Sequence, residues 1–382
     1  MSTFIKVLAV AGTLTVAGFV DAVVLRADGT LPDVQGFGAA TVGGSGGRVV
    51  TVTSLDDSGP GTLRWALEDL TEPRIVHFDV AGTIQLDDQI EVQGHVSVFG
   101  HTAPGPLTIT GGRLRVVGDE VIISGLRVRP GNGPGDNLDD RDGISIGKAG
   151  ESIQNVIIHG NSLTWAVDEN LAVWGDVQNV TISNNIIAEA LDVAGHSKGD
   201  HSMGLLIGGG GAARVSVIGN LFASNANRNP TVKDRSQQIE VVNNLVYNWS
   251  EHGLRGEGST LHAIGNVYIA GPDTAVPDAF DFRAEANAGE LVYLEDNAAT
   301  IRPNRNEGLS DLPVFRGSTI GILPAADVLD HVLMTAGVRD PDLDAIDSTI
   351  VASVLNDTGR IINAPDEAAA ELFRMKQASD TK

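Results

Sequence analysis

The 382-residue chain contains no cysteine and has few aromatic residues and few positive charges. The absence of cysteine excludes disulfide bridges, thiolate catalysis and cysteine-ligated zinc or iron–sulfur centres. Lysine and arginine number 26 against 49 aspartates and glutamates, and the resulting net charge of −23 argues against general nucleic-acid binding, which needs a basic surface. Aromatic residues make up 4% of the chain whereas glycines number 46, a composition that favours many tight turns over a helical bundle.

Long hydrophobic runs are also scarce, and the one near the N-terminus is short. The uncharged run over 7–20 falls below the roughly 20 residues that cross a bilayer. Val20 and Ala22 supply small residues before a signal-peptide cleavage site. We therefore predict a signal peptide over 1–22 and a secreted protein, extracellular or periplasmic. The alternative is a buried first strand in a protein that is never exported.

An internal repeat is the most informative pattern in the chain. The motif apolar-x-apolar-(Gly/Asn)-Asn-apolar-apolar recurs at intervals of 24, 35, 24 and 22 residues, with its second polar position at Asn161, Asn185, Asn220, Asn244 and Asn266. A period in this range predicts a solenoid in which each repeat forms one coil. A leucine-rich repeat needs an LxxLxL frame and a propeller needs blades of about 40 residues, and neither is present. We therefore predict an all-β, single-domain right-handed parallel β-helix whose stacked Asn side chains bond to one another.

Helical patterns flank the repeats. The segment TLRWALEDL over 62–70 places apolar residues on one face and is expected to cap the open N-terminal edge. After the β-helix domain, predicted over 23–322, the character of the sequence changes. The C-terminal segment 323–382 is expected to form short helices over 327–337 and 348–357, followed by a helical or frayed polar tail.

A glycine cluster, GFGAATVGGSGG over 36–47, precedes the first β-branched run. It lacks the Lys-Ser/Thr pair of a phosphate-binding loop and the GxGxxG frame of a dinucleotide fold. We therefore expect tight turns that enter the solenoid, not a cofactor site.

Acidic residues on successive coils form the first candidate site. Asp142 lies in the loop GDNLDDRDGISIG, and Asp168 and Glu169 lie one coil later in TWAVDENLAVWG. Equivalent positions on adjacent coils are about 5 Å apart, which is the interstrand spacing. These carboxylates can therefore share a Ca²⁺ ion, which accepts oxygen ligands in loose geometry. The alternative is a solvated acidic turn.

Two further segments carry histidines and cations. The residues of interest are His196, Lys198 and His201 in HSKGDHSMGLLIGG, and Arg228, Lys233 and Arg235 in NANRNPTVKDR. In so acidic a chain these cations favour contacts to an anionic ligand, although a solvated strand edge has the same composition. A metal site built on the His-x₄-His spacing with Asp192 and Asp200 is less favoured, because the loop offers it no rigid frame.

The segments DDSGPGTLRWAL, DGISI, KGDHSMGLLIG, NRNP and VVNNLVYNW occur together and in this order. In this combination the chain resembles the pectate lyases of polysaccharide lyase family 1, nearest to the group related to pectate trisaccharide-lyases. The resemblance extends over 36–270 and, more loosely, over 336–362.

The resemblance implies an enzyme that cleaves polygalacturonate by calcium-assisted β-elimination to 4,5-unsaturated oligogalacturonides. We further expect a monomer with no nucleic-acid partner and no stable membrane association. By position, Asp142 and Asp168 match calcium-binding carboxylates, and Arg228 matches the residue assigned as the base. The residues implied to bind the uronate carboxylates of the substrate are Lys233, Arg235, Lys198 and His201.

The chain departs from that family at a third calcium carboxylate, where Ala172 stands four residues after Asp168. Glu169 is the expected substitute, although strand alternation predicts that it points to the opposite face from Asp168 and Ala172. Lys233 stands where an arginine is usual, which removes bidentate carboxylate recognition.

Two alternative functions stay open at this point. The first is a non-catalytic β-helix that binds acidic glycans, including a virion spike module. The second is a polygalacturonase-type hydrolase on the same fold, since DRDGISI resembles the aspartate motif of those enzymes.

Overall fold

Three long parallel sheets build the described part of the chain. The computed structural model describes residues 29–368 except for 32, 277, 284–290, 301–304, 307 and 341, so the predicted signal peptide over 1–22 and the tail beyond 368 lie outside the described residues. In all three sheets, strands of successive coils pair side by side in parallel. The predicted all-β parallel β-helix is confirmed.

Each coil between Arg74 and Asn306 contributes one strand to each sheet, and sheet 1 has one further strand at either end. Sheet 1 consists of Arg48–Val52, Arg74–Phe78, Val96–Phe99, Val121–Ser124, Ser152–His159, Asp176–Ser183, Ala213–Ile218, Gln237–Val242, Thr260–Ile264, Leu291–Glu295 and Leu309–Ser310. Sheet 2 consists of Gly82–Gln85, Leu107–Thr110, Arg127–Val128, Ser162–Thr164, Ile186–Ala188, Leu221–Ala223, Leu245–Tyr247, Val267–Ile269 and Ala298–Ala299. Sheet 3 consists of Ile90–Val92, Leu114–Val116, Ile144–Ile146, Glu169–Trp174, Met203–Gly208, Thr231–Val232, Leu254–Glu257, Phe280–Arg283 and Arg305–Asn306.

The core lies inside the coils and consists of columns of identical or similar side chains. In sheet 1, one fully buried column runs along the helix axis through Val96, Val121, Val156, Val180, Val215 and Ile239. β-branched side chains suit this arrangement because they pack well on a pleated surface and lose little rotamer freedom there. Burial of these columns holds each coil in register with the next.

A second column consists of asparagine amides at the bend between sheets 1 and 2. Each side-chain oxygen accepts from the amide nitrogen of the preceding Asn at 2.9–3.1 Å, through Asn161, Asn185, Asn220, Asn244, Asn266 and Asn297. The predicted Asn stack is thus confirmed, and Asn297 extends it by one coil that the sequence repeat did not indicate. These interactions satisfy polar groups that would otherwise be buried without partners.

The chain bends sharply one residue before each asparagine of this stack. The residues there have φ between 48° and 65°: Gly160, Asn184, Gly219, Asn243, Gly265 and Asp296. Gly, Asn and Asp tolerate this left-handed conformation better than other residues. The first polar residue of the repeat therefore forms the bend, and the second, the asparagine, joins the Asn stack.

We expect Asn220→Ala to lower the free energy of unfolding by about 3 kcal/mol. The Asn220 Oδ1 accepts from both the backbone and side-chain nitrogens of Asn185, and its Nδ2 donates to the carbonyl of Ile182. Alanine would leave these buried groups without partners, at roughly 1–3 kcal/mol each. Urea unfolding measures the change, with the exposed Asn356→Ala as control. Equal stability of the two variants would contradict a contribution of the Asn stack to the free energy of unfolding.

Helical segments occur near both ends of the described chain. The expected N-terminal helix over 62–70 is a short π-helix, Trp65–Asp69, whose buried Ala66 and Leu67 belong to the interior core. The C-terminal helices are α1, Ala325–Thr335, and α2, Ala345–Asn356, close to the predicted bounds. Single turns of 3₁₀-helix occur at Gly100–Thr102 and Leu138–Asp140. None of the helices in the described ranges is long and apolar enough to cross a membrane.

Both α-helices pack on the outer side of sheet 2. Val328 of α1 and Ile350 of α2 share an apolar cluster with outward residues of that sheet such as Leu221. The buried Arg129 guanidinium pairs with Asp344 at 2.6 Å and with Asp347 at 2.8 Å, which fixes the start of α2 against the sheet.

The glycine cluster over 36–47 lies across the outer face of sheet 1. Its backbone N–H groups at Phe37, Gly38 and Gly44 donate to hydroxyls on three different coils: Ser216, Thr181 and Ser97, each at 2.9 Å. A Cβ on Gly44 would overlap the Arg74 backbone carbonyl, so glycine is required for this close approach. The segment therefore does more than turn into the solenoid, because it ties coils together along the axis.

Candidate active site

The candidate residues enter sheet 3 from the same side. Asp142 precedes the strand Ile144–Ile146, Asp168 precedes Glu169–Trp174, and Arg228 precedes Thr231–Val232. Because the strands are parallel and stacked coil on coil, the segments that lead into them converge at one edge of the sheet. The backbone N–H of Asp168 also donates to the carbonyl of Arg141 at 3.2 Å, which places Asp168 beside Asp142.

Three carboxylates meet at this edge. One oxygen each from Asp142, Asp168 and Glu169 lies within 4.8 Å of the other two. Asp142 and Glu169 are buried, whereas the Asp168 side chain is 15% exposed and so opens the cluster to solvent. Three oxygen donors at this spacing can surround a single hard cation.

Asp142 is the most constrained of the three. Its Oδ1 accepts from the backbone N–H of Glu169 at 3.0 Å, and its Oδ2 accepts from Arg113 at 3.2 Å. Burial, together with the negative charge of Asp168, raises the pKa of Asp142 to about 8, although Arg113 opposes the shift. The cluster therefore carries more negative charge than its protein neighbours can neutralise.

The structure corrects the expectation that Glu169 points to the opposite face from Asp168. Strand alternation applies only within a regular strand, and Asp168 lies in a bend just before the strand Glu169–Trp174 begins. Glu169 therefore joins the carboxylate cluster. Ala172 pairs in register with Ser145 and Leu206 inside sheet 3, so its position supplies no donor.

Arg228 reaches the same cluster from two coils further along the helix. Its guanidinium pairs with the carboxylate of Glu169 and its side chain is 20% exposed. Burial lowers the pKa of Arg228, and the negative charges of Asp168 and Asp142 oppose this effect. The backbone at Arg228 has φ 60°, and a Cβ on the adjacent Gly204 would approach the Arg228 carbonyl to 2.5 Å.

Two histidines flank Asp168. The His201 Nε2 lies 2.7 Å from Asp168 Oδ1 and the His196 Nε2 lies 3.5 Å from the same oxygen. Their rings stack with centroids 3.9 Å apart and planes inclined by 6°. Of the acidic residues considered from the sequence for this pair, Asp192 and Asp200 do not belong to the group, and Asp168 takes their place.

The other cations predicted to bind substrate do not contact the carboxylate cluster. Lys233 Nζ is 5.1 Å from the centroid of the Trp174 ring and 4.0 Å from the Asp234 carboxylate. Lys198 and Arg235 are exposed. The structure therefore brings together Asp142, Asp168, Glu169, Arg228 and His201, but gives Lys233 local partners within sheet 3.

Sequence reasoning missed two arginines near the cluster. Arg113 lies one coil before Asp142 and bonds to it, and Arg255 pairs in register with Thr231, the third residue after Arg228. The positive charge of Arg255 also lowers the pKa of Arg228. The coil period would have placed both at this edge, but neither lies in a segment with an unusual composition.

Comparison with known proteins places this geometry in context. The chain is 37% identical over 345 residues to a probable pectate lyase C of Aspergillus flavus, and the alignment covers 85% of this chain and 76% of that protein. It is 40% identical over 270 residues to a probable pectate lyase C of Emericella nidulans, covering 70% of this chain and 58% of that protein. No family model matches the chain.

Solved structures share the architecture. The major allergen of cedar pollen matches with a TM-score of 0.61 at 20% identity, covering 80% of this chain and 93% of the allergen. A pectate lyase bound to a hexasaccharide matches with a TM-score of 0.60 at 15% identity, covering 82% of this chain and 98% of that one. At these identities the structural matches establish the fold alone.

Proposed function

Because this chain belongs to the pectate lyase family, we propose that it cleaves polygalacturonate by calcium-assisted β-elimination and releases 4,5-unsaturated oligogalacturonides. The observation that carries the proposal is the meeting of three carboxylates and one half-buried arginine at the edge of sheet 3. A cluster of this kind can bind a cation and a uronate together.

The donor set suits Ca²⁺. Asp142, Asp168 and Glu169 offer only oxygen atoms, which Ca²⁺ prefers. Because Ca²⁺ takes about six to eight oxygen ligands, substrate oxygens would supply further ones. The raised pKa of Asp142 has burial as its main cause, and the charge of Arg113 only partly offsets burial and the repulsion from Asp168. When bound, Ca²⁺ would neutralise the uronate carboxylate and so acidify the neighbouring C5 proton.

Arg228 is the proposed base. It would remove the C5 proton, the released electron pair would form the C4–C5 double bond, and the O4 substituent would leave with its bonding pair. An arginine can act in this way only if its pKa falls, since a free guanidinium stays protonated. Burial lowers the pKa of Arg228 in the right direction, and coordination of Glu169 to a cation would remove the negative partner that favours the protonated form.

The remaining cations are proposed to bind the carboxylates of neighbouring sugars. Lys198 and Arg235 are exposed and free to extend toward a polyanion, and Lys233 can exchange the Trp174 ring for a carboxylate. His201 would orient Asp168 through its 2.7 Å contact. We also propose a monomeric, secreted protein with the signal peptide over 1–22, because a polymeric plant-wall substrate lies outside the cell.

Product analysis on polygalacturonate tests the proposed function. With Ca²⁺ we expect ultraviolet absorbance from 4,5-unsaturated products, and addition of a chelator should reduce the rate by at least about 100-fold. New reducing ends without unsaturation would instead indicate a hydrolase. Binding of polygalacturonate without any cleavage would indicate the non-catalytic alternative.

A further inference from the structure

We infer that Asp168, His196 and His201 form a second metal site, specific for a first-row transition-metal cation such as Zn²⁺ or Co²⁺. This site overlaps the carboxylate cluster through Asp168. Only its competition with calcium rests on the proposed function, because the three residues form the site by themselves.

The geometry fits a small cation. One ligand atom from each of the three residues lies within 4.8 Å of the others. Ligands about 2.1 Å from a tetrahedral Zn²⁺ ion lie about 3.4 Å apart. The distances from Asp168 Oδ1 to the Nε2 atoms of His196 and His201 are 3.5 and 2.7 Å, close to that spacing. The two rings are parallel, so they would tilt toward each other on binding to direct both lone pairs at one ion.

The His196 ring supplies an independent indication of a missing ligand. Its side chain is 0% exposed, and its Nε2 has no hydrogen-bond partner although it faces Asp168. A buried polar atom without a partner is unusual in a native protein and indicates a bound ligand or ion. A cation between the two rings and Asp168 would satisfy this atom.

The ligand chemistry separates the two sites. Two imidazole nitrogens and one carboxylate oxygen are a donor set typical of Zn²⁺ and other first-row transition metals, whereas Ca²⁺ takes oxygen ligands. Asp142 and Glu169 add only oxygen atoms to Asp168, whereas the histidines add only nitrogen atoms. Asp168 is common to both groups, so each cation should weaken the binding of the other.

Metal binding would change one local hydrogen bond. The Lys198 backbone N–H donates to Nδ1 of His196 at 3.0 Å, which places the proton of the neutral ring on Nε2. Ligation by Nε2 requires that proton to move to Nδ1 and the Lys198 amide to turn away. Residues 197–200 are exposed, so the loss of this bond costs only about 1 kcal/mol.

Titration of the metal-stripped, full-length protein with Co²⁺ tests the inference without any assay of lyase activity. We expect one Co²⁺ per chain, with visible d–d absorption that indicates nitrogen ligation. His196→Ala and His201→Ala should each weaken Co²⁺ binding by at least 10-fold. The half-buried His331→Ala, on α1, is the matched control and should bind as the wild type does.

Two results would overturn the inference: no Co²⁺ binding by the wild type, or equal binding by the wild type and both variants. If an alanine variant fails to fold, the same titration with His196→Gln and His201→Gln decides the question. In calorimetry with Ca²⁺, saturating Co²⁺ should raise the dissociation constant for Ca²⁺ by at least 10-fold, and an unchanged constant would contradict the sharing of Asp168. Because Co²⁺ binding is measured directly, a protein without lyase activity would still give a clear result.

Discussion

Replacement of Arg228 by alanine is expected to lower kcat for polygalacturonate cleavage by about 1,000-fold or more. Proton removal by a positioned base contributes roughly 10²–10⁴ to an enzymatic rate, and Arg228 combines contact with the carboxylate cluster and a lowered pKa. Arg228→Lys should recover only a small part of the rate, since a lysine lacks the planar fork that contacts Glu169.

A matched control is available on another face of the β-helix. Arg214 is likewise half-buried, has φ 52° where Arg228 has φ 60°, and bonds to Asn179 on sheet 1. Arg214→Ala should leave kcat unchanged. It also measures any loss of stability that comes from removing an arginine side chain at a residue with left-handed backbone conformation. Initial rates of unsaturated-product formation measure both variants. A wild-type rate in Arg228→Ala would exclude Arg228 as the base.

The affinity for Ca²⁺ is expected to fall about 100-fold between pH 9 and pH 6. Burial raises the pKa of Asp142 to about 8, and a protonated carboxyl cannot bind a cation. Below that pH each unit of acidification therefore weakens binding about tenfold, whereas above it the affinity levels off. Calorimetric titration with Ca²⁺ over this range measures the effect.

Asp142→Asn should bind Ca²⁺ weakly at every pH and so lose this dependence. The exposed Asp140→Asn, two residues away in the same loop, is the control and should keep the wild-type profile. An affinity that is constant from pH 6 to pH 9 in the wild type would show that Asp142 is ionised throughout, and would contradict the raised pKa that burial gives this carboxyl.

The same group links pH to stability in the absence of Ca²⁺. Folded Asp142 keeps its proton up to a pKa of about 8, whereas the unfolded carboxyl loses it near the ordinary aspartate pKa of 3.8. The folded state therefore binds more protons between these values, and its contribution to the free energy of unfolding falls as pH rises through this window. Urea unfolding with a chelator should show a steeper fall with pH in the wild type than in Asp142→Asn.

The site could be predicted from the sequence only in part. The repeat period placed Asp142 and Asp168 on neighbouring coils, and the structure brings their carboxylates together. Glu169 was expected to point away because a strand was assumed to include Asp168. The backbone bends just before Glu169, and a bend of one residue has no periodic signal in a sequence.

The sequence by itself determined the coil. Its regular spacing of asparagines and β-branched residues leaves few alternatives, because each turn must bury the same columns and satisfy the same amides. Only the tertiary structure decided which polar residues face one another. The pairing of His196 with Asp168 instead of Asp192, and of Lys233 with Trp174, depends on loop conformations between the strands. Loops carry no repeated pattern, and a rotation of one side chain there changes its partner at a cost of about 1 kcal/mol.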